Sequence, residues 1–372
     1  MNEQAPQSLR PDVSAAAEGT RTFGLWATDT GFTTGQSVVT GRVDAMLARH
    51  GAHRFVLVTG LGPYALARWT LAITRLALAV LRGRIHTLYL VCSRSGPGFV
   101  RDVPAYLVRR AGVRVVVHVH GSDIVALVNR PLARRLLQGC VLVLPSAHLV
   151  QPLASLGIDG CQVCENFVGS EPAVPITPAA QPFTVLWNSN IMASKGFFAV
   201  ADAVRELHER GIALRLVALG APLGDEVLPR AVCVDRLSAL ANAPWLDWRG
   251  PQSHEKARRA LLEADLVCLP SHYSSECQPL ALLEAMCAAR PVLIADTAAL
   301  RATVGDYPCT VVDQVNAASV AAAIEQCIAG PAVASAALQA AAASARARFS
   351  TRRFDQQMGR LLGLPPTTPV DP

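Results

Sequence analysis

Lysine is nearly missing from this chain: of 34 basic residues only two, Lys195 and Lys256, are lysines. Charge of either sign is scarce, at 17% of 372 residues, against 51% hydrophobic. That balance excludes a disordered chain and fits a well-buried α/β protein, long enough for two domains with a core each. No run of 18 apolar residues is free of charge and no leader pattern opens the chain. A cytoplasmic protein, soluble or peripheral on the inner face of the membrane, is therefore expected. No Asp-x-Asp pair occurs, so a bound metal is not implied. The ten cysteines lie mostly in apolar runs, as Cys92, Cys268 and Cys327 do, which points to buried thiols in a reducing compartment. Cys161-x2-Cys164 is the one close pair. Without a second pair, packing in a core strand is favoured over zinc or redox chemistry.

The positive charge is lopsided. Residues 1–175 hold 17 arginines against 10 acidic residues, while 176–372 hold 17 basic against 18 acidic. The N-terminal half is thus a candidate for contact with an anionic membrane surface or glycan. Nucleic acid is not expected, because no aromatic-interleaved basic cluster accompanies the charge. Within that half, residues 65–84 place Arg68, Arg75 and Arg82 at seven-residue intervals on one face of an apolar helix. Such a helix suits a membrane interface, and equally a core-packed helix with a solvated arginine stripe.

The stretch that carries chemistry is 265–297, ADLVCLPSHYSSECQPLALLEAMCAARPVLIADT. Residues 266–270 read as a buried parallel strand, 271–275 as a polar loop, and Pro279 marks the start of a helix of good helix formers. A helix start offers unpaired N–H groups and a positive dipole end, so a phosphate or diphosphate is expected near 277–281. Glu276 and Glu284 flank that point, about 10 Å apart along the helix. Carboxylates accept hydrogen bonds from hydroxyl pairs, so each suits one sugar ring.

The pattern Glu276-x7-Glu284, followed by Ala285-Met286 and Pro291-Val292, resembles the retaining GT-B glycosyltransferases, most closely glycosyltransferase family 4. The resemblance implies two Rossmann-like domains with parallel sheets facing across a cleft. It assigns Glu276 to the transferred sugar, Glu284 to the ribose, and the amides of Cys277, Gln278, Leu280 and their neighbours around Pro279 to the diphosphate. His120-Gly121, at the end of an apolar strand 114–119, matches the family's His-Gly that contacts the sugar, and His118 reads as buried support. Lys195-Gly196 matches the family's phosphate-binding Lys-Gly, while Asn190 stands where the family has Arg. Gly35 closes a loop, 31–35, that in the family faces the donor phosphates or the acceptor. Arg94, Arg101 and Asp102 lie in a stretch, 93–102, resembling one on the acceptor side of bacterial members. Cys277, Ala289 and the 297–301 segment depart from the family's usual glycines and acid, and Cys277 is expected to narrow the sugar pocket.

The expected organisation is a loose tail (1–21), an N-terminal acceptor-side domain (22–168) and a proline-rich linker (169–182). A nucleotide-sugar domain (183–348) follows, then a terminal segment (349–372) whose helix packs back toward the first domain. The implied activity is retaining, metal-independent transfer of a sugar from a nucleoside diphosphate sugar to a glycan or lipid-linked acceptor, in bacterial envelope polysaccharide synthesis, with no cofactor. Two other readings stand beside it. One is a GT-B protein that binds nucleotide sugars without turnover. The other is a nicotinamide-dependent oxidoreductase, suggested by Gly60-x-Gly62-x-x-Ala65 but opposed by Cys92-Ser93-Arg94, where a ribose-binding acid is required.

Overall fold

The computed structural model describes residues 22–29, 35–58, 62–169, 182–329 and 336–365. The expected tail, most of the 31–35 loop, Gly60 and all but the ends of the 169–182 linker lie outside the described residues. Twelve strands are described, and every one pairs in parallel. The first sheet holds β1 (Phe23–Asp29), β2 (His53–Val58), β3 (Thr87–Val91), β4 (Arg114–His118), β5 (Val141–Leu144) and β6 (Cys161–Val163). The second holds β7 (Phe183–Asn188), β8 (Leu214–Leu219), β9 (Leu246–Gly250), β10 (Leu266–Leu269), β11 (Val292–Ala295) and β12 (Cys309–Val312). Their orders, β2-β1-β3-β4-β5-β6 and β12-β11-β10-β7-β8-β9, make two doubly wound, Rossmann-like domains.

The strands are short and almost wholly apolar because helices cover both faces. Successive residues of the first sheet go to different cores. Trp26, Leu90, Val117 and Leu144 pack into one cluster, while Leu25, Tyr89, Val116 and Val143 pack into another. That second face is covered by helix Gly35–Ala48 and by the terminal helix Thr351–Leu362, which buries Phe354, Met358 and Leu362 there and pairs Asp355 with Arg42. Cys161 packs against the first cluster and Cys164 lies in the second, as an odd spacing along an extended chain requires. The two thiols therefore share no site.

In each sheet the strand order reverses at one place: between β1 and β3, and between β7 and β10. Doubly wound sheets bind ligands outside the carboxyl ends of the strands at such a reversal. The loops leaving β7 and β10 carry Lys195 and Glu276. By contrast, β2, which precedes the Gly60–Ala65 stretch in sequence, is an edge strand, away from either reversal. A nicotinamide site there lacks the topological setting it needs.

Helix His254–Glu263 begins where Ser253 caps it by accepting from the Lys256 N–H.

Candidate active site

Helix Leu280–Cys287 begins one residue after Pro279, which occupies the cap position in an extended conformation. The N–H groups of Leu282 and Leu283 turn back onto the Pro279 carbonyl at 3.1 and 3.4 Å. Those of Leu280 and Ala281 precede any acceptor within the helix. Glu276, in that loop, is 11% exposed at its side chain. Its Oε2 accepts a 3.1 Å hydrogen bond from the Ser271 hydroxyl and lies 3.3 Å from Lys195 Nζ.

Lys195 reaches Glu276 because Gly196 permits it. Gly196 sits at φ +88°, and a Cβ there would come within 2.5 Å of the Pro270 carbonyl oxygen. Only glycine lets the two loops approach so closely. The contact is reinforced by a 2.9 Å bond from the His272 N–H to the Ser194 carbonyl. Ser194 is fixed in turn, donating both its N–H and its hydroxyl to Asp225 at 2.8 Å. Burial works against the Asp225 charge, yet these bonds and those from Leu228 and Val227 hold its carboxyl below the usual range. The Lys195 ammonium also donates to Ser189 Oγ at 3.1 Å and stands 5.7 Å from the Tyr273 ring centre. Its surroundings thus combine one carboxylate, one hydroxyl and one aromatic face.

Glu284 is held from the end of β7 and from the start of helix His254–Glu263. Asn188 Nδ2 donates to its Oε2 at 3.2 Å, and His254 Nδ1 lies 3.9 Å from Oε1. Asn190 is exposed, between these two pairs in sequence, so the arginine position of the resembling family carries no charge here. Gly35 faces the same helix from the first domain: a Cβ on it would sit 3.4 Å from Leu280 Cδ1.

His120 brings the first domain's contribution. Its ring lies over that of His118, with centres 4.2 Å apart, and its buried Nε2 has no hydrogen-bond partner among the described residues. Burial, then His118 and Arg94, push its pKa well below the ordinary imidazole value, so it is neutral near pH 7. A neutral imidazole with an unpartnered nitrogen is equipped to hydrogen-bond a ligand. His118 is buried against Tyr89, whose hydroxyl is 2.7 Å from Nδ1, and burial lowers its pKa to about 3. Beside them Arg94 pairs with Asp123 across Gly121, where a Cβ would lie 2.7 Å from Asp123 Oδ1 and 2.8 Å from Arg94 Cζ.

The expectations that Cys277 narrows a sugar pocket and that Arg101 and Asp102 face an acceptor are corrected by these surroundings. The Cys277 side chain is 3% exposed and packs into the core of the first domain, so it does not line a sugar pocket. Burial pushes its thiol up to about 12, which leaves it protonated and inert. Gln278 is buried, and its side chain bridges domains: Oε1 accepts from the Asn166 N–H at 2.6 Å and Nε2 donates to Glu165 at 3.1 Å. Asp102, expected on the acceptor side, is fully buried and accepts from Trp26 Nε1 at 3.0 Å and the Ser93 N–H at 3.3 Å. Arg101 bonds to Asp102 and to Ser93 Oγ, so this stretch props up its own loop.

The sequence reading missed the groups that hold the candidates in place. Ser122 donates its hydroxyl to the Glu276 carbonyl and its N–H to Ser275 O at 3.3 Å, tying the His120 loop to the Glu276 loop. Arg348 Nε lies 3.1 Å from both Glu165 oxygens, locking the end of helix Ala336–Arg348 to the exit of the first domain. Asn188 was visible as a polar residue closing an apolar strand. The serines carried no such signal.

This geometry has relatives. Residues 176–346 match the family model for Glycosyl transferases group 1. The match spans β7 to β12 and so contains Lys195, Glu276 and Glu284. Comparison with curated protein sequences finds no match. Among solved structures, Anabaena Alr3699/HepE in complex with UDP-glucose superposes with a TM-score of 0.67 at 15% identity, over 92% of this chain and 99% of that one. Sucrose-phosphate synthase from Thermosynechococcus elongatus gives 0.69 at 13%, covering 92% and 98%. The lipopolysaccharide outer core galactosyltransferase WaaB, in apo form, gives 0.62 at 12%, covering 91% and 98%. At these identities the likeness establishes the GT-B fold for the whole described chain. The group 1 match lies over the C-terminal domain.

Proposed function

We propose that the protein is a glycosyltransferase that moves a sugar from a nucleoside diphosphate sugar to a hydroxyl of a glycan or lipid-linked acceptor, with retention and without a metal. The observation that carries this reading is the meeting of Lys195 and Glu276 at 3.3 Å beside the open start of helix Leu280–Cys287. A cation, a helix N-terminus and a carboxylate in that order match a diphosphate followed by a hydroxylated ring. Glu284 and Asn188 lie beyond, where the ribose falls.

On donor arrival the Lys195 ammonium turns from Glu276 to the diphosphate, with the Leu280 and Ala281 N–H groups beside it. Glu276 then accepts from sugar hydroxyls, and His120 Nε2 meets the ring from the first domain. The bond from the anomeric carbon to the diphosphate oxygen breaks as the acceptor oxygen bonds that carbon on the same face. The acceptor's proton passes to the departing diphosphate. In this scheme the protein supplies position and charge rather than a nucleophile. UDP is the first nucleotide to try, because the HepE structure contains UDP-glucose. A bacterial envelope glycan is the setting we favour for the acceptor, in keeping with the WaaB likeness.

Asn190 favours a second reading, binding without turnover, since one diphosphate-facing charge is absent. Proton NMR of the anomeric signal during incubation with donor and acceptor separates the readings. Transfer with the donor's anomeric configuration supports the proposal. An inverted product rejects retention, and tight donor binding without product selects the second reading.

A further inference from the structure

The helix Pro63–Leu81 lies against β2, the edge strand of the first sheet, and buries only Ala72, Leu76 and Ala79. The rest of its circumference is unusual for a soluble surface. Leu71, Leu78 and Leu81 are 52%, 42% and 83% exposed. At about 100° per residue they fall within an arc of roughly 80°, opposite the buried stripe. Thr70 and Thr74 share that face, but their hydroxyls donate back to the Leu66 and Thr70 carbonyls at 3.0 Å. Those hydroxyls therefore ask nothing of the medium outside. An exposed apolar face with its polar atoms internally satisfied marks an interaction surface.

Its border is cationic. Arg68 and Arg75 follow the leucine arc at roughly 40–60° further round the helix. With Arg54 of β2 they line a groove of about 150 Å³ floored by Phe55, Leu71 and Ala72. Arg54 is paired with Asp44, whereas Arg68 and Arg75 are in no ion pair or hydrogen bond among the described residues. Arg82 caps the helix end and is exposed, and residues 63–84 contain no Asp or Glu. The helix has the length and composition of a membrane span, yet its buried stripe belongs to the domain core.

We infer that this helix is the docking surface of the protein on an anionic lipid bilayer. Leu71, Leu78 and Leu81 enter the headgroup boundary, while Arg68 and Arg75 meet lipid phosphates at the rim of the groove. Charge complementarity selects this occupant: a row of unpaired arginines beside an apolar arc fits a surface that is anionic above and apolar below. The contact is independent of the glycosyl-transfer proposal and is read without any donor.

The test is co-sedimentation of the full chain with vesicles of phosphatidylcholine alone, or with about a third phosphatidylglycerol. Binding is expected to the anionic vesicles only, weakening at least tenfold from low to high salt. Arg68→Gln with Arg75→Gln should weaken it by about 25-fold, at roughly fivefold per arginine. Leu71→Ser with Leu78→Ser should weaken it by a similar factor. Both positions are exposed, so circular dichroism should show each double variant folded. Equal binding to both vesicle types, no binding, or binding unmoved by either variant overturns the inference. So does concentration-dependent self-association that the leucine variant alone abolishes while vesicles are ignored, which would make this a protein interface.

Discussion

Lys195 Nζ lies 3.3 Å from Glu276 Oε2, and the two residues come from loops that leave adjacent strands, β7 and β10. Both side chains are largely buried, at 15% and 11% exposure, so neither charge is fully hydrated and each depends on the other. The pair is poised for exchange: an incoming diphosphate offers the ammonium a better-matched partner and frees the carboxylate for hydroxyl groups.

Glu276→Gln keeps the shape and removes the charge. It is expected to lower kcat/KM by about 100- to 1,000-fold, with a change in Tm of a few degrees at most. Steady-state kinetics on a folded variant checks this, and near-wild-type turnover removes Glu276 from the role given to it.

Stability should fall on mild acidification. His118 has a folded pKa of about 3 against 6.5 as its ordinary value, so the unfolded chain binds the extra proton between those limits. Its contribution is fully present above pH 6.5 and is lost as pH falls toward 3, by up to about 1.4 kcal/mol per pH unit. His120, also depressed by burial, acts in the same direction. Tm measured from pH 7.5 to 5 should drop more steeply for wild type than for His118→Gln; parallel curves contradict the assignment.

Gln278→Ala removes the acceptor of the Asn166 N–H and the donor to Glu165 at once. Leaving buried polar groups unpaired costs about 1–3 kcal/mol each. Urea unfolding should show a loss of at least that order, together with looser coupling of the two domains. An unchanged midpoint would mean the bridge contributes nothing.

Cys277 should behave as a core residue. In the folded protein it is expected to resist iodoacetamide at pH 8, because its thiol is buried and held near 12. Cys277→Ala should destabilise by about 1 kcal/mol for the lost packing while leaving donor affinity unchanged. Rapid alkylation, read by mass spectrometry, would place it in an open pocket after all.

The doubly wound fold was legible because buried parallel strands are short apolar runs, and because Pro279, Gly196 and the two glutamates sit at places that only a strand–loop–helix unit explains. His120 and Lys195 were legible for the same reason: each is a polar group closing an apolar strand or preceding a glycine. The directions of Cys277, Gln278 and Asp102 were not. Sequence places all three beside the ligand loops, but whether such a side chain turns to the ligand or into a core depends on packing between segments distant in sequence: Gln278 meets Asn166 and Cys277 enters the core of the first domain, while Asp102 turns inward to Trp26 of its own domain. Ser122, Ser189 and Ser271 were invisible for a related reason. Serine is common in loops, and only the fold shows that these hydroxyls converge on Glu276 and Lys195.

The most direct measurement is a thermal-shift panel of UDP, UDP-glucose, GDP, ADP and NADH on wild type, Lys195→Ala and Glu284→Ala. One nucleoside diphosphate family should stabilise wild type by about 2.7 kcal/mol at a hundredfold excess over its Kd, and each variant should lose most of that shift. Stabilisation by NADH alone, or a diphosphate shift undiminished in both variants, would contradict a donor site built on Lys195, Glu276 and Glu284.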